Sequence, residues 1–252
     1  MPTNGLMSME NYNILKKSGN ESTSMKILAL DTSSAACSVA LLRDGEAKIR
    51  HEVVPMRHAK CLLSFIEETL GSDLNSLDVL AWGCGPGSFT GLRIAASVIQ
   101  ALGFAYNLPV VNVSSLAALA QTAYEEHGWK QLLVAVDARM NEVYWGVYRI
   151  NEAGYAELIS PEGLFSPKEL PGLIKESFAA PGEWYGVGSA WSVYQAELEG
   201  CLKDGLKRTD PDCLPKALAV AQLGRLKYEK GQGVQSFDAL PTYLRDNVCK
   251  NS

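Results

Sequence analysis

A chain of 252 residues that is 47% hydrophobic and 20% charged has enough apolar material for one large core or two smaller ones. Its formal net charge of −5 excludes a basic face broad enough to neutralise many phosphates, so tight nucleic-acid binding by this chain alone is not expected. Arg93, Gln100 and Asn107 interrupt the longest apolar stretch, which argues against a membrane span. The six cysteines contain no C-x-x-C pair and follow no apolar signal segment, so reduced thiols in a cytoplasmic protein are expected rather than disulfides.

Residues 1–24 show no regular pattern and read as a disordered leader; pattern begins at Met25. The run KILALDTS over 26–33 is almost continuously apolar and ends in Asp31-Thr32-Ser33, the mark of a central strand buried on both faces. Two strand-like runs follow around Asp44-Gly45, a dipeptide that accepts the positive φ of a tight hairpin. A helix is predicted over 58–70, with Ala59, Leu62, Leu63, Ile66 and Leu70 on one face. Cys61 and Phe65 widen its apolar arc beyond that of an ordinary surface helix. The strand VLAWGCG, a glycine-rich loop, an apolar helix, the strand VVNV and a helix capped by Ser114 or Ser115 complete the first half.

The pattern then restarts. LLVAVDARMNEVYWGVYRINEAGYAELI is again an apolar strand ending in an aspartate, Asp137, followed by two more strands around a turn. This weak internal duplication of a β-β-β-α unit predicts a two-lobed α/β protein, with lobes over 25–130 and 131–252 and a cleft between Asp31 and Asp137. Further on come a short helix entered through Ser166-Pro167, a strand and turn in EWYGVGSAW, and a helix stopped by Gly231-Gln232-Gly233. The last segment, ALPTYLRDNV, is expected to bury Leu240, Tyr243, Leu244 and Val248.

Several chemistries fail on spacing. The loop GCGPGSFTG has no lysine for a P-loop, and Thr90 occupies the third glycine position of a dinucleotide fingerprint. It reads as a Gly85-Pro86-Gly87 turn with Thr90 or Ser88 as helix cap, the alternatives being an anion on its N–H groups or a contact surface for another protein. In the helix that follows, Gly91 and Ala95, and likewise Ser97, Ala101 and Ala105, stand four apart, a spacing that lets another helix approach closely. That helix needs a cover on two sides, supplied either by the chain itself or by a partner.

Asp31, Thr32, Ser33 and Asp137 read either as groups facing a nucleotide and metal in the cleft or as turn residues satisfying backbone N–H groups. Leu62 stands four residues after His58, so no H-x-x-x-H pair forms, and neither a metal site nor a cofactor of the chain's own is predicted. There is no G-x-S-x-G elbow and no evident base for Cys61 or Cys84. Arg139 and Glu142 are expected to pair across their turn or to meet a partner.

Four segments, MKILALDTSSAACSVAL, GPGSFTGLRIA, DARMNEVYW and PTYLRDNV, stand in that order between Met25 and Val248. Together they resemble the TsaB family, also called YeaZ. The resemblance implies a two-lobed actin-like, Hsp70-like (ASKHA) fold and a non-catalytic scaffold role in bacterial threonylcarbamoyl-adenosine formation. In that family the partner TsaD transfers the threonylcarbamoyl group to the adenosine next to the anticodon of ANN-decoding tRNAs, TsaC makes the activated intermediate and TsaE is an ATPase. The implied contacts with TsaD lie on the helices starting at His58 and Thr90: Ala59, Leu62, Leu63, Ile66, Arg93, Ala96, Ser97 and Gln100. The same face implies a homodimer when TsaD is absent, tRNA met only through the complex, and ATP or ADP only at the interface with partners. The alternative is a peptidase or ATPase using the interlobe cleft.

Overall fold

The computed structural model describes residues 25–71, 76–177, 182–202 and 205–245; the leader read over 1–24, and Val248, lie outside the described residues. The first sheet contains β1 (Lys26–Asp31), β2 (Ala36–Arg43), β3 (Glu46–Val53), β4 (Val79–Gly85) and β5 (Val110–Ser114) in the order β3-β2-β1-β4-β5. Here β1 runs antiparallel to β2 and parallel to β4. Asp44 and Gly45 take positive φ between the paired ends Arg43 and Glu46, as the hairpin reading expects.

Alternation along β1 divides the first lobe into two cores. Leu28 and Leu30 pack with Leu62, Phe65 and Ile66 of α1 (His58–Leu70) and with Ala95, Ala96 and Ile99 of α2 (Phe89–Tyr106). Ile27 and Ala29 face the other way, toward Ala217, Val220 and Ala221. With both faces covered, Ile27 through Leu30 have no exposed surface, which is why the run is apolar at every position.

The second sheet contains β6 (Gln131–Arg139), β7 (Glu142–Ile150), β8 (Ala156–Phe165), β9 (Trp184–Val187) and β10 (Leu206–Asp210). Its order, β10-β9-β6-β7-β8, is that of the first sheet read from the opposite edge. The duplication is therefore real at the level of strand order. Helices α4 (Leu170–Ser177), α5 (Ala190–Val193) and α6 (Gln195–Leu202) belong to this sheet, with Leu170, Ile174 and Trp191 in its core. A turn closed by the Ser166 N–H on the Glu169 carboxylate (2.8 Å) precedes α4, so the helix begins later than Ser166-Pro167 suggested.

The boundary expected at 130 divides the sheets but not the helices. α3 (Ser115–His127), capped by Ser114, packs against β6, β7 and β8 of the second sheet as well as β4 and β5 of the first. α7 (Ala217–Glu229) returns to cover β1, β2 and β4 of the first. The reason lies in the first sheet's second face, where small residues invite close approach: a Cβ added to Gly224 of α7 would lie 2.7 Å from the Cβ of Ala81. Ser38 on β2 anchors the start of α7, its Oγ accepting the Ala217 N–H at 2.9 Å.

After α7 the chain forms a strap along α2. Val234 bridges to Val110, a 3-10 turn spans Ser236–Asp238, and the Thr242 N–H donates to Cys84 O at 2.7 Å. The strap is held by its backbone and by buried Ala239, so Leu240 and Tyr243 stand exposed instead of buried.

Candidate functional site

Three N–H groups around the loop between β4 and α2 are committed within the molecule. Gly85 N–H donates to Ser115 Oγ (3.1 Å), Ser88 N–H to Ser33 O (2.7 Å) and Gly91 N–H to Ser88 Oγ (3.2 Å), which makes Ser88 rather than Thr90 the cap. Those three amides are closed to an anion. The glycines serve close approach: a Cβ on Gly87 would lie 2.4 Å from Ser33 O, and one on Gly91 1.9 Å from Thr32 O. Thr32 Oγ1 donates to Gly91 O at 2.7 Å and completes the lock between β1 and α2. The small residues Gly91 and Ala95 thus face the end of β1 and the core, not a second helix as their spacing suggested.

Held this way, α2 lies beside α1 with a groove of about 510 Å³ between them. Ala59, Leu62 and Leu63 form one wall; Phe89, Thr90, Arg93, Ile94, Ser97 and Val98 form the other. Leu62 is the floor at 1% exposure, whereas Leu63 and Phe89 keep 63% and 47% of their surface in solvent. The Arg93 guanidinium sits 3.8 Å from the centre of the Phe89 ring, and its Nε donates to Tyr243 OH at 3.4 Å. The groove is therefore apolar inside, with one cation on the rim tied to the strap.

Five of the eight residues read as partner contacts line this groove: Ala59, Leu62, Leu63, Arg93 and Ser97. Ile66 and Ala96 lie in the core instead, each 6% exposed, because the helical arc that carried them turns inward onto β1. Gln100 is occupied by the strap, its Nε2 donating to Ala239 O at 3.1 Å. Phe89, Thr90, Ile94 and Val98 also line it and stand outside that reading. A helix start at Thr90 leaves Phe89 in the loop, Thr90 reads as a cap, and Ile94 and Val98 are the apolar neighbours of Arg93 and Ser97 in the same helical phase.

The strand-end carboxylates are closed groups. Asp31 has no exposed surface; its Oδ1 accepts from Ser33 N–H (2.9 Å) and Ser33 Oγ–H (2.8 Å), and its Oδ2 has no hydrogen-bond partner. A Cβ on Gly83 would lie 1.9 Å from that Oδ2, so only glycine leaves room for it. Burial outweighs the two Ser33 bonds and pushes the Asp31 carboxyl up to about 7. Thr32 and Ser33 are equally buried in this knot. On the second sheet, Asp137 Oδ1 accepts from Arg139 N–H (2.9 Å) and Tyr194 OH (3.0 Å) while its Oδ2 pairs with the Arg139 guanidinium (3.1 Å). Glu142 pairs with Arg245 of the strap, so the expected Arg139–Glu142 pair is replaced by two others. Burial also raises the thiols of Cys37, to about 12, and of Cys84 and Cys213, which makes them poor nucleophiles.

The repeated strand order across two sheets defines a two-lobed actin-like α/β protein. Two proteins named tRNA threonylcarbamoyladenosine biosynthesis protein TsaB are similar to it over nearly their whole lengths. The one from Escherichia coli (strain K12) is 36% identical over 229 residues, covering 89% of this chain and 96% of that protein. The one from Haemophilus influenzae is 38% identical over 236 residues, covering 89% and 95%. A solved structure of YeaZ from Pseudomonas aeruginosa, 39% identical, superposes with a TM-score of 0.77 over 87% of this chain and 100% of that one. The family model of TsaD, tRNA N6-adenosine threonylcarbamoyltransferase, matches residues 49–251. The chain belongs to the TsaB (YeaZ) family of tRNA threonylcarbamoyladenosine biosynthesis proteins.

Proposed function

We propose that this chain is a non-catalytic scaffold subunit that docks TsaD in the groove between α1 and α2. In that role it supports addition of the threonylcarbamoyl group to the adenosine next to the anticodon of ANN-decoding tRNAs. The observation that carries the proposal is the groove itself, where Leu63 and Phe89 stay exposed above the buried floor of Leu62. Contiguous exposed apolar surface of this kind marks an interaction site. The match to the TsaD model over 49–251 spans both helices and supports TsaD as the occupant, since a related chain offers a similar helix pair as the facing surface. A second copy of this chain takes the same place when TsaD is absent. TsaE joins the complex formed with TsaD, tRNA is met only through that complex, and ATP or ADP enters only at the interface with partners.

Titration calorimetry with TsaD tests the docking surface. Leu63→Asp combined with Arg93→Glu is expected to weaken binding by about 100-fold, in line with roughly 1.5–3 kcal/mol for one buried leucine together with the lost rim charge. Unchanged affinity would place the interface elsewhere. The rival reading, a peptidase or ATPase in the cleft, receives no support from Asp31, whose carboxylate no substrate or metal can reach without opening the knot around it.

A further inference from the structure

We infer that Cys213, Asp210, Glu126 and His127 form a binding site for a zinc-class divalent transition-metal ion, at the crossover where the chain leaves the second sheet for α7. The donors come from three places: the last turn of α3 (Glu126, His127), the end of β10 (Asp210) and the loop before α7 (Cys213). The Cys213 thiol and one carboxylate oxygen each of Glu126 and Asp210 lie within 4.8 Å of one another. His127 Nε2 adds a fourth donor, 2.8 Å from Asp210 Oδ2. Zinc-to-ligand bonds of about 2.0–2.3 Å set ligand atoms roughly 3–4 Å apart, so the Cys213, Glu126 and Asp210 atoms need only small movements to close on an ion, while His127, paired with Asp210 outside that trio, swings toward them to complete four ligands. One sulfur, one imidazole and two carboxylates suit zinc or cobalt better than calcium or magnesium, which take oxygen ligands.

The surroundings orient each donor. Asp210 Oδ1 accepts the backbone N–H groups of Asp212 and Cys213, both at 3.0 Å, which leaves Oδ2 for His127. Lys216 holds Glu126 by Oε1, while Oε2 faces the Cys213 sulfur at 3.7 Å. The His127 ring lies tilted against Trp129 with centroids 4.3 Å apart, and Trp129 stacks on Tyr185 at 4.6 Å. Outer contacts of this kind fix ligand orientation in metal sites. Cys213 itself is 5% exposed, so a thiol withdrawn from water faces two carboxylates. On binding of a divalent cation the S–H proton leaves to solvent as the metal–thiolate bond forms. Spacing along the sequence hid the site, since its two donor pairs, Glu126-His127 and Asp210/Cys213, lie more than eighty residues apart and contain no H-x-x-x-H or C-x-x-C pair.

The test is titration of the full chain with Co²⁺ under reducing, oxygen-free conditions. One equivalent is expected to produce a near-ultraviolet thiolate-to-cobalt charge-transfer band with the intense visible bands of a four-coordinate ion, both removed by Zn²⁺. Cys213→Ser should abolish the charge-transfer band, and Asp210→Asn should weaken binding about tenfold or more. Should Cys213→Ser not fold, X-ray absorption of the zinc-loaded wild-type chain decides, with one sulfur among nitrogen and oxygen ligands expected. A wild-type chain without the band at excess Co²⁺, a band that survives Cys213→Ser in the folded variant, or a zinc shell without sulfur would overturn the inference and leave a hydrogen-bonded cluster that holds no ion.

Discussion

Burial gives Asp31 an acidity unlike that of a surface carboxylate, and this makes folding depend on pH. Its carboxyl is pushed up to about 7 in the fold from the 3.8 of an ordinary aspartate, so the fold favours the neutral form. The associated stability is fully present below about pH 4 and is lost as pH rises through about 7, a loss on the order of 4 kcal/mol at most. Asp31→Asn keeps an oxygen for the two Ser33 donors and removes the charge. It should flatten the rise in urea sensitivity between about pH 4 and pH 7 and stabilise the chain at the upper end; equal pH slopes in both proteins would contradict the assignment. The position of Asp31 at a strand end was legible in KILALDTS, but its orphaned oxygen depends on Gly83, fifty-two residues away. Arg139 teaches the same lesson. Arg139, Met140 and Asn141 all take left-handed φ (61°, 56° and 58°), which turns the arginine back onto Asp137 and frees Glu142 for Arg245. A turn was expected there, but none of the three is a glycine and only Asn141 is a residue type that favours positive φ, so its left-handed backbone was not legible.

Among the elements, α1 spans the residues its periodicity predicts, and α7 ends just before the stop at Gly231. What the helical wheel did not resolve is how the wide arc of α1 is divided. Leu62 and Leu63 are adjacent and equally apolar, yet one is core and the other groove wall. Their alanine variants should therefore part company: Leu62→Ala costs about 2–5 kcal/mol in denaturant unfolding, and Leu63→Ala stays within about 0.5 kcal/mol. Similar losses at the two sites would refute the division. In α2, a Cβ at Gly91 collides with the backbone of Thr32, which cannot move as a flexible side chain would. Gly91→Ala should cost about 1–3 kcal/mol or more and tilt the helix that forms the groove, lowering both melting temperature and TsaD affinity. A fully stable variant would show that the lock between β1 and α2 is looser than its geometry.

At the scale of the whole molecule, strand order repeats between the halves, and that much was readable from two apolar strands ending in aspartate with hairpins after them. The return of α7 to the first sheet, with α3 reaching both, was not, because a β-β-β-α repeat suggests that each helix covers its own sheet. Only the small residues Ala29, Ala40 and Ala81, packed beneath α7, decide otherwise. The net charge of −5 belongs to this scale too. It predicts no salt-dependent mobility shift of tRNA by this chain without TsaD, and a shift at moderate salt would require a basic surface that the charge balance does not supply. The central claim, a groove that docks and supports the catalytic subunit, is tested most directly by threonylcarbamoylation of an ANN-decoding tRNA from threonine, bicarbonate and ATP. TsaC, TsaD and TsaE would be supplied with no added chain, with wild type, with Asp31→Asn, and with a folded Leu63→Asp/Arg93→Glu variant. Activity that needs the chain, survives Asp31→Asn and is lost with the groove variant is the predicted result; full activity without the chain, or with the groove variant, would contradict it.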